Sequence, residues 1–263
     1  IGLVMKSLQA DFFKVMKEGA IQYATPLPVL DLVCVGTATQ TEVEEQVDLM
    51  YSLIHQQVDA IVLVPIDSKA LVQPVVEAVR KGVPVINIDI RLDTQLLEQA
   101  GVEVAFVGPD NFAAAYEVGK LLDKKLRNED KVAIIEGLTA ADNAQQRKRG
   151  FIKAIEEKGL RLVASEPADW ETEKAAEVFQ AMWMRYPDLK AVYCSNDAMA
   201  LGVLQQMQEK NCYLPVVGFD NDAVMKEFLS TGKLVATADI FSSQMAVRGI
   251  EFALDVLEGK IEN

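Results

Sequence analysis

The sequence predicts an α/β protein with two similar lobes, each a doubly wound parallel sheet. Short β-branched runs alternate with helical stretches along the whole chain. Most of these runs are continuously apolar, which is typical of strands that helices cover on both faces. The series restarts near Lys131 with a second set of strands. Two lobes of the same α/β class follow from this repetition.

Ten strands are predicted, with amphipathic helices between them. In chain order the strands are IGLVM, LDLVCVG, AIVLVP, VPVINID, VEVAFVG, KVAIIEG, LRLVASE, AVYCSN, LPVVGFD and VATADI. The helix after the second strand is expected to begin in a capping box, with Thr41 as the cap and Glu44 three residues later. Asp142 or Asn143 is expected to begin the helix after the sixth strand. No Pro-, Gly- or Ser-rich linker separates the lobes, which predicts short crossings instead of a flexible tether.

Composition and charge exclude several classes of protein. The chain has 263 residues, of which 50% are hydrophobic, and its formal net charge is -13. So acidic a chain argues against nucleic acid and anionic membranes as partners, because binding a polyanion needs a basic surface. No apolar run approaches the roughly 18 to 20 residues that span a bilayer. Because the chain begins directly in a strand at Ile1, we expect that processing removed a segment upstream of it.

Catalysis, cofactors and metals are not predicted. The chain has no G-x-x-x-x-G-K-[ST], G-x-G-x-x-G or G-x-S-x-G motif, and its single histidine, His55, lies within a predicted helix. The cysteines Cys34, Cys194 and Cys212 have no C-x-x-C spacing, and the first two lie in apolar runs that predict burial. We therefore expect no catalytic residue, no metal site and no cofactor.

Polar and aromatic side chains follow several of the predicted strands. Ligands of open α/β sheets bind beyond the carboxyl ends of the strands, where the loops converge. The residues at these ends are Lys6, Asp89, Arg91, Trp170, Asn196, Asp197 and Asp220. Any one of them could be a helix cap or a turn residue, but such residues at five different strand ends favour a ligand site.

Arg147 is predicted to lie on the buried face of its helix. It precedes Phe151 by one helical turn, and Phe151 and Ile155 define that face. A buried cation is costly unless it meets an anion or several hydrogen-bond acceptors, so Arg147 is a candidate for the site. Lys148 and Arg149 are expected to turn away into solvent.

The turn after the first strand indicates the chemistry of the ligand. It has no glycine that would let backbone amides approach a phosphate, but it offers Lys6 and the aromatic pair Phe12 and Phe13. Sugar hydroxyls both donate and accept, so carboxylates and amides beside cations can satisfy them, while aromatic rings cover C–H faces. A small polyhydroxylated ligand is therefore predicted, with Phe12, Phe13 and Trp170 as walls. Trp170 is expected at the rim of the strand ends, exposed in the free protein.

Short motifs extend over nearly the whole chain and resemble one family. In chain order they are IGLVMKSLQADFF, AIVLVPIDSKAL, GVPVINID, GPDN, RKRGF, PADW, SNDAMALG, VVGFD and ATADI. In this order and spacing they resemble the periplasmic sugar-binding proteins of the ribose-binding type, which are substrate-binding components of ABC transporters. The resemblance implies two lobes joined by a hinge of three crossings, with the ligand in the cleft between the lobes and closure of the hinge on binding. It assigns residues 1–109 and 240–263 to the N-terminal lobe and 110–239 to the C-terminal lobe, and it implies a further strand after residue 263.

The resemblance also implies a set of binding residues. The stacking aromatics of the family fall on Phe12, Phe13 and Trp170, and its polar contacts fall on Asp89, Arg147, Asn196 and Asp220. Lys6 stands where ribose binders have serine and arabinose binders have lysine. Arg91 stands one residue later than the arginine of the family.

Two further positions depart from the pattern of ribose binders. Ala10 replaces an asparagine, and Ile240 replaces a glutamine. Because Ile240 cannot make the polar contact of that glutamine, the neighbouring Asp239 is included as the last residue of the predicted ligand-binding set. These departures, together with the shift of Arg91, argue against ribose itself as the ligand.

The predicted function is that of an extracytoplasmic solute-binding protein for a monosaccharide, a polyol or a similar ligand. Its predicted partners are this small molecule and the membrane permease of an ABC transporter, with no nucleic acid, and the protein is expected to be a monomer. The predicted location is the periplasm, or outside the cytoplasmic membrane on a lipid anchor.

Two alternatives remain open at the level of sequence. The effector-binding domain of a lactose-repressor-family transcription regulator resembles the same two-lobed fold, although no helix-turn-helix precedes Ile1, and an upstream signal peptide would decide between the two. An enzyme could use Asp89 and Asp220 as an acid/base pair. The cations near them should keep both carboxylates ionised, which suits hydrogen-bond acceptance better than proton transfer.

Overall fold

The computed structural model describes residues 1–261, except for the side chain at position 123, and these residues form two compact units. The first unit contains residues 1–108, 140–142 and those from 241 on, and the second contains residues 109–139 and 143–240. The boundaries predicted from the sequence differ from these by one residue, and the sequence does not predict the short segment 140–142. Residues 262 and 263 of the predicted N-terminal lobe lie outside the described part of the chain.

The first unit is a five-stranded parallel sheet with helices on both faces. Its strands are β1 (Gly2–Met5), β2 (Val33–Gly36), β3 (Ile61–Leu63), β4 (Val85–Ile88) and β5 (Ala105–Val107). Its helices are α1 (Asp11–Ala24), α2 (Val43–His55), α3 (Val72–Arg80), α4 (Thr94–Gln99) and α10 (Ser242–Leu257). The spatial order β2-β1-β3-β4-β5 is that of a doubly wound sheet. Helices α1 and α10 pack against each other and α10 lies on β3 and β4, while α2 contacts β1, β2 and α3.

The second unit repeats this topology. Its strands are β6 (Lys131–Glu136), β7 (Arg161–Pro167), β8 (Ala191–Cys194), β9 (Val216–Phe219) and β10 (Leu234–Ala238). Its helices are α5 (Asn111–Asp123), α6 (Asp142–Lys158), α7 (Thr172–Arg185), α8 (Asp197–Glu209) and α9 (Lys226–Ser230), the last preceded by a 3₁₀ turn, Ala223–Met225. The strand order β7-β6-β8-β9-β10 matches that of the first unit, strand for strand. The predicted fold class of two similar parallel-sheet lobes is thus confirmed.

All ten predicted strands are present. The burial of most of them explains why their sequences are continuously apolar. The residues of β1, β3, β4, β8 and β9 are all buried, because neighbouring strands and helices enclose them on every side. The strands β2, β5 and β7 lie at sheet edges and are only partly buried. Cys194 is accordingly buried in β8, whereas the expectation that Cys34 is buried is wrong, since it lies in the edge strand β2.

The capping box predicted for α2 is also wrong. The helix begins at Val43 and its N-cap residue is Glu42, so Thr41 lies outside the helix. A carboxylate oxygen of Glu42 accepts the backbone N–H of Thr39 at 2.8 Å, and the N–H of Val43 donates to the carbonyl of Thr41 at 3.0 Å. The chain therefore turns tightly over residues 39–42 before the helix starts. His55 is the last residue of α2 and is exposed.

No helix among the described residues is long and apolar enough to cross a bilayer.

The helices that cover the sheets approach one another closely at small residues. Helices α7 and α8 pack together, and a Cβ atom added at Gly202 of α8 would lie 2.0 Å from the carbonyl oxygen of Thr172. Because this neighbour is backbone, it cannot move aside without shifting α7.

We expect Gly202→Ala to destabilise the second unit by about 1–3 kcal/mol, because the two helices must separate. Alanine alone would favour a helix by about 1 kcal/mol over glycine, so a net loss would identify the packing as the cause. Both tryptophans, Trp170 and Trp183, lie in this unit, so urea unfolding followed by tryptophan fluorescence reports on it. Gln205→Ala on the exposed side of α8 is the control and should leave the midpoint unchanged. A midpoint for Gly202→Ala at or above that of the wild type would contradict this account.

Candidate functional site

In the first unit, the hydroxyl of Ser7 closes the turn after β1. It accepts hydrogen bonds from the backbone N–H groups of Gln9 (3.1 Å) and Ala10 (3.2 Å), and it donates to the carbonyl of Ala38 (3.2 Å). The turn therefore needs no glycine, and it leaves Lys6 buried at the end of the strand. Sequence analysis overlooked Ser7, although a serine ahead of a helix start is a common turn signal.

Phe12 and Phe13 have different surroundings. Their ring centroids lie 5.0 Å apart with the rings nearly perpendicular. Phe13 is buried on the core face of α1 together with Met16, whereas Phe12 is only partly buried. The Nζ atom of Lys6 lies 5.8 Å from the centroid of the Phe13 ring, within the range of a cation–π contact. Phe13 therefore supports both the core and Lys6, and Phe12 is the ring with an accessible face.

Asp89 follows β4 in a left-handed backbone conformation, with φ 62°. Its N–H donates to the carbonyl of Val107 at 3.0 Å, which extends the pairing of β4 with β5. The side chain of Asn87 holds the turn: its Nδ2 donates to the carbonyl of Ile90 (2.7 Å) and its Oδ1 accepts the N–H of Leu92 (2.9 Å). Aspartate tolerates this conformation better than most residues, so the backbone fixes the position of the buried carboxylate. Asn87 is a second residue that sequence analysis overlooked.

Arg91 lies at the surface of the first unit. Its guanidinium carbon is 3.8 Å from the centroid of the Phe106 ring, and the side chain is exposed. The buried position directly after Asp89 is taken by Ile90. The displacement of the arginine by one residue thus places it on an aromatic face of β5.

In the second unit, Arg147 is 2% exposed and makes three hydrogen bonds. Its Nε donates to Oδ1 of Asn111 at 2.9 Å, and its Nη1 donates to the carbonyl of Ser195 at 2.8 Å and to Oδ1 of Asp220 at 3.3 Å. The guanidinium carbon lies 3.7 Å from the centroid of the Phe219 ring. The prediction that Arg147 faces the core and meets an anion is confirmed.

Trp170 also contacts Arg147, whose guanidinium carbon lies 5.5 Å from the indole. The expectation that Trp170 is exposed at the rim is wrong, because the residue is only 3% exposed. The indole lies flat on the backbone at Gly137, where an added Cβ would come within 2.1 Å of the ring. The glycine that follows β6 is thus the local signal for burial of this tryptophan. The role of Trp170 as a stacking wall stays a prediction.

The remaining predicted residues of the second unit serve as caps and loop contacts. Asn196 is the N-cap of α8, and its Oδ1 accepts the N–H of Met199 at 2.9 Å. Asp220 directly follows β9 with φ 113°. Asp239 is exposed, and its Oδ2 accepts a hydrogen bond from Nδ2 of Asn221 at 3.0 Å.

Lys148 does not point into solvent, so that expectation is wrong. Its Nζ lies 2.8 Å from Oε1 of Glu136, which is buried at the end of β6 and also accepts the hydroxyl of Ser165. A buried carboxylate requires such partners, and the lysine on the neighbouring helix supplies the charge. Arg149 is exposed, as predicted.

Asp197 is fully buried one residue after Asn196. Its Oδ2 accepts hydrogen bonds from the backbone N–H of Asp222 and from the hydroxyl of Thr237, both at 2.9 Å. Burial raises the pKa of the Asp197 carboxyl to about 7, although these hydrogen bonds act in the opposite direction. Sequence analysis placed Asp197 at a strand end but assigned it no role.

The structure joins most of the predicted residues of the second unit into one set. We call this set the Arg147 cluster; its members are Asn111, Arg147, Trp170, Phe219 and Asp220. In the first unit, Lys6, Phe12 and Phe13 lie together at β1, while Asp89 lies at β4 with β3 between the two strands. Among residues 1–261 no group of three His, Cys, Asp or Glu residues is arranged to hold a metal ion.

We expect Arg147→Met to destabilise the second unit by about 3–5 kcal/mol, because it leaves the Asp220 carboxylate in a buried site without its cation. Adding Asp220→Asn to this variant should recover part of the loss, since the uncompensated charge is removed. Urea unfolding of the ligand-free protein measures both values. Arg149→Met, on the exposed side of the same helix, should change little. Equal stability of the wild type and Arg147→Met would show that the ion pair contributes nothing.

The raised pKa of Asp197 predicts that the stability of the folded protein depends on pH. The folded state holds this proton up to about pH 7, whereas the ordinary aspartate value is 3.8, so the folded protein binds the proton more tightly than the unfolded chain does. The contribution of Asp197 to stability is therefore greatest below about pH 4 and is lost as the pH rises to about 7. We expect the stability difference between the wild type and Asp197→Asn to change across this range in thermal melts. A difference that stays constant across this range would show that the pKa of Asp197 is not raised in the folded protein.

Comparison with known proteins agrees with this geometry. A D-ribose/D-allose-binding protein of Pseudomonas aeruginosa is 41% identical over 263 residues, which cover 99% of this chain and 82% of the relative. A solute-binding protein of an ABC transporter from Burkholderia multivorans superposes with a TM-score of 0.96 at 41% identity, over 98% of this chain and 93% of that one. A periplasmic solute-binding protein from Actinobacillus succinogenes with bound D-allose gives a TM-score of 0.92 at 32% identity, over 98% and 91% of the two chains.

The predicted resemblance is confirmed at the level of the family. The periplasmic binding protein domain matches residues 1–261, which is nearly the whole chain. The related proteins are named for binding and transport and not for catalysis, and nothing in the comparisons favours a transcription regulator. The chain belongs to the family of periplasmic binding protein domains.

Proposed function

We propose that this protein is an extracytoplasmic solute-binding protein that captures a monosaccharide and delivers it to the permease of an ABC transporter. The Arg147 cluster is the observation that carries this proposal. It combines a buried cation, a carboxylate and an amide with two aromatic rings at the carboxyl ends of parallel strands. Hydroxyl groups need donors and acceptors together, and the C–H faces of a sugar ring pack well on aromatic rings.

The cluster favours a neutral sugar over a sugar acid. The positive charge of Arg147 is already balanced by Asp220, and two further acceptors, Asn111 and Ser195, accept hydrogen bonds from its Nε and Nη1 atoms. An anionic ligand would therefore meet no excess of positive charge in this unit. A neutral hydroxyl can instead accept from the guanidinium edge and donate to the carboxylate, which keeps every buried group hydrogen-bonded.

D-Allose is the first candidate for the sugar, and D-ribose is the second. The relative from P. aeruginosa is named for both sugars, and the A. succinogenes protein carries bound D-allose. In their pyranose forms the two sugars have the same configuration at C2, C3 and C4, and D-allose adds a hydroxymethyl group at C5. Residues Ala10, Arg91 and Ile240 depart from the pattern of ribose binders, which ranks D-allose above D-ribose.

Both units are proposed to supply binding side chains. The first unit would supply Lys6, Phe12, Phe13 and Asp89, with Arg91 at its surface; the second would supply Arg147, Trp170, Asn196 and Asp220, with Asp239 at its surface. This assignment is supported by the chemistry of these groups and by their places at strand ends. The proposed location is the periplasm, and the proposed form is a monomer, which size-exclusion chromatography with light scattering can measure.

A thermal-shift screen followed by calorimetric titration tests the function. D-Allose and D-ribose should raise the melting temperature, since a ligand at 100 times its dissociation constant adds about 2.7 kcal/mol of stability. D-Glucose and D-xylose are the matched controls, because each differs from one of these sugars only at C3. If the controls bind equally well, the assignment of the configuration is wrong. If no pentose, hexose or polyol binds, the sugar-binding function itself is wrong.

We expect Asp89→Asn to weaken sugar binding by about 1.5–3 kcal/mol, because a charged acceptor of hydroxyl hydrogens becomes a neutral amide. Asparagine tolerates the left-handed conformation at this position, so the fold should be retained. Calorimetric titration gives the affinity, and the melting temperature of the ligand-free variant checks the fold. Asp59→Asn, at an exposed position of the same unit, should bind like the wild type. An unchanged affinity in Asp89→Asn would remove Asp89 from the binding set.

A further inference from the structure

Asp197 is a buried carboxylate that the binding set does not use. It is the first residue of α8, where a carboxylate could simply favour the helix N-terminus. However, Asn196 already caps this helix by accepting the N–H of Met199. The Oδ2 atom of Asp197 instead accepts hydrogen bonds from Asp222 and Thr237, 25 and 40 residues further along the chain. Asp197 therefore bonds to residues after β9 and in β10, and not to its own helix.

The first of these hydrogen bonds comes from the loop of residues 220–222, and the second comes from Thr237 of β10, which itself contacts that loop. The N–H of Asp220 donates to the carbonyl of Ala238 at 2.7 Å, and the N–H of Asn221 donates to the hydroxyl of Thr237 at 3.1 Å. Since that hydroxyl accepts from an N–H group, its own hydrogen is directed to the carboxylate of Asp197. The N–H of Asp222 donates to the same carboxylate oxygen. Asp197 thus holds the loop both directly and through Thr237.

The loop needs to be held, because its backbone is strained at Asp220. Asn221 has φ 59°, which asparagine tolerates, but Asp220 has φ 113°, a value that non-glycine residues adopt only where the surroundings impose it. Glycine at position 218 lets the carboxylate of Asp197 approach, since an added Cβ there would lie 2.0 Å from Oδ1. The carboxylate is therefore wedged between the start of α8 and the end of β9, where the loop begins.

We propose that Asp197 is a positioning residue for ligand binding, which holds the 220–222 loop so that Asp220 meets Arg147, and makes no contact of its own with the sugar. This inference rests on the proposed function. Asp220 is the carboxylate of the Arg147 cluster, and its position follows from the loop that carries it. Two bonds to one buried carboxylate oxygen secure that loop. The raised pKa of Asp197 agrees with a carboxylate that keeps this position at the expense of its solvation.

Removing the hydroxyl of Thr237 tests the proposal and leaves Asp197 in place. Thr237→Val has nearly the same shape and loses only the bridge between Asn221 and Asp197. Hydrogen exchange of the ligand-free protein should be about fivefold to tenfold faster over residues 220–222, the loss expected for one hydrogen bond. The affinity for D-allose should fall by a similar factor. Thr237→Ser restores the hydroxyl and should restore both values, which a general loss of packing would not allow.

Thr231→Val, at an exposed position after α9, is the matched control and should leave the loop and the affinity unchanged. Exchange over residues 220–222 that is no faster in Thr237→Val overturns the proposal, whatever ligand the protein binds. Faster exchange with unchanged affinity for D-allose overturns it too, because the loop would then not control binding. Failure of D-allose to bind the wild type contradicts the proposed ligand instead, and the exchange rates still decide whether Asp197 holds the loop.

Discussion

The burial of the Arg147 guanidinium is the constraint on which the rest of the second unit depends. A cation withdrawn from water must find an acceptor for its N–H groups, because an uncompensated buried charge costs several kcal/mol. Here the acceptors come from three different elements: Asn111 at the start of α5, Ser195 between β8 and α8, and Asp220 after β9. One side chain therefore ties together loops that are remote in sequence. The aromatic rings of Phe219 and Trp170 complete its surroundings.

In each unit, a buried polar side chain that is not itself in the candidate binding set stabilises a loop that carries a candidate residue. Asn87 in the first unit and Asp197 in the second are both buried, and both bond to the backbone of a loop that carries a candidate ligand residue. In each case that candidate residue, Asp89 or Asp220, has a positive φ. The two units thus share an arrangement in which a carboxylate lies on a turn with positive φ and a buried polar side chain stabilises that turn, from the same strand in the case of Asn87 and from α8 in the case of Asp197. Such preorganisation reduces the ordering that a ligand must bring about when it binds.

Membership in the periplasmic binding protein family and the chemistry of the Arg147 cluster support the same function by independent routes. The family is assigned from the whole length of the chain, and the cluster is read from local contacts. The cluster adds a detail that a family name does not contain, namely that the buried positive charge is neutralised within the unit. This internal balance is the reason for proposing a neutral sugar, even though the three cations Lys6, Arg91 and Arg147 taken alone would suggest a sugar acid.

The sequence by itself determined the fold class, all ten strands, the repetition of the two lobes and the burial of Arg147. These features depend on local periodicity and on the apolar character of strands covered on both faces, which a sequence displays directly. Tertiary structure alone decided the partners of Lys148, the burial of Trp170 and the roles of Asn87 and Asp197. Each of these depends on a residue distant in the chain or on a backbone surface: Lys148 on Glu136, Trp170 on the bare backbone at Gly137, and Asp197 on Thr237. Hydrogen bonds and close packing act between neighbours in space, so sequence patterns identify which residues are candidates, while the fold determines which of them meet.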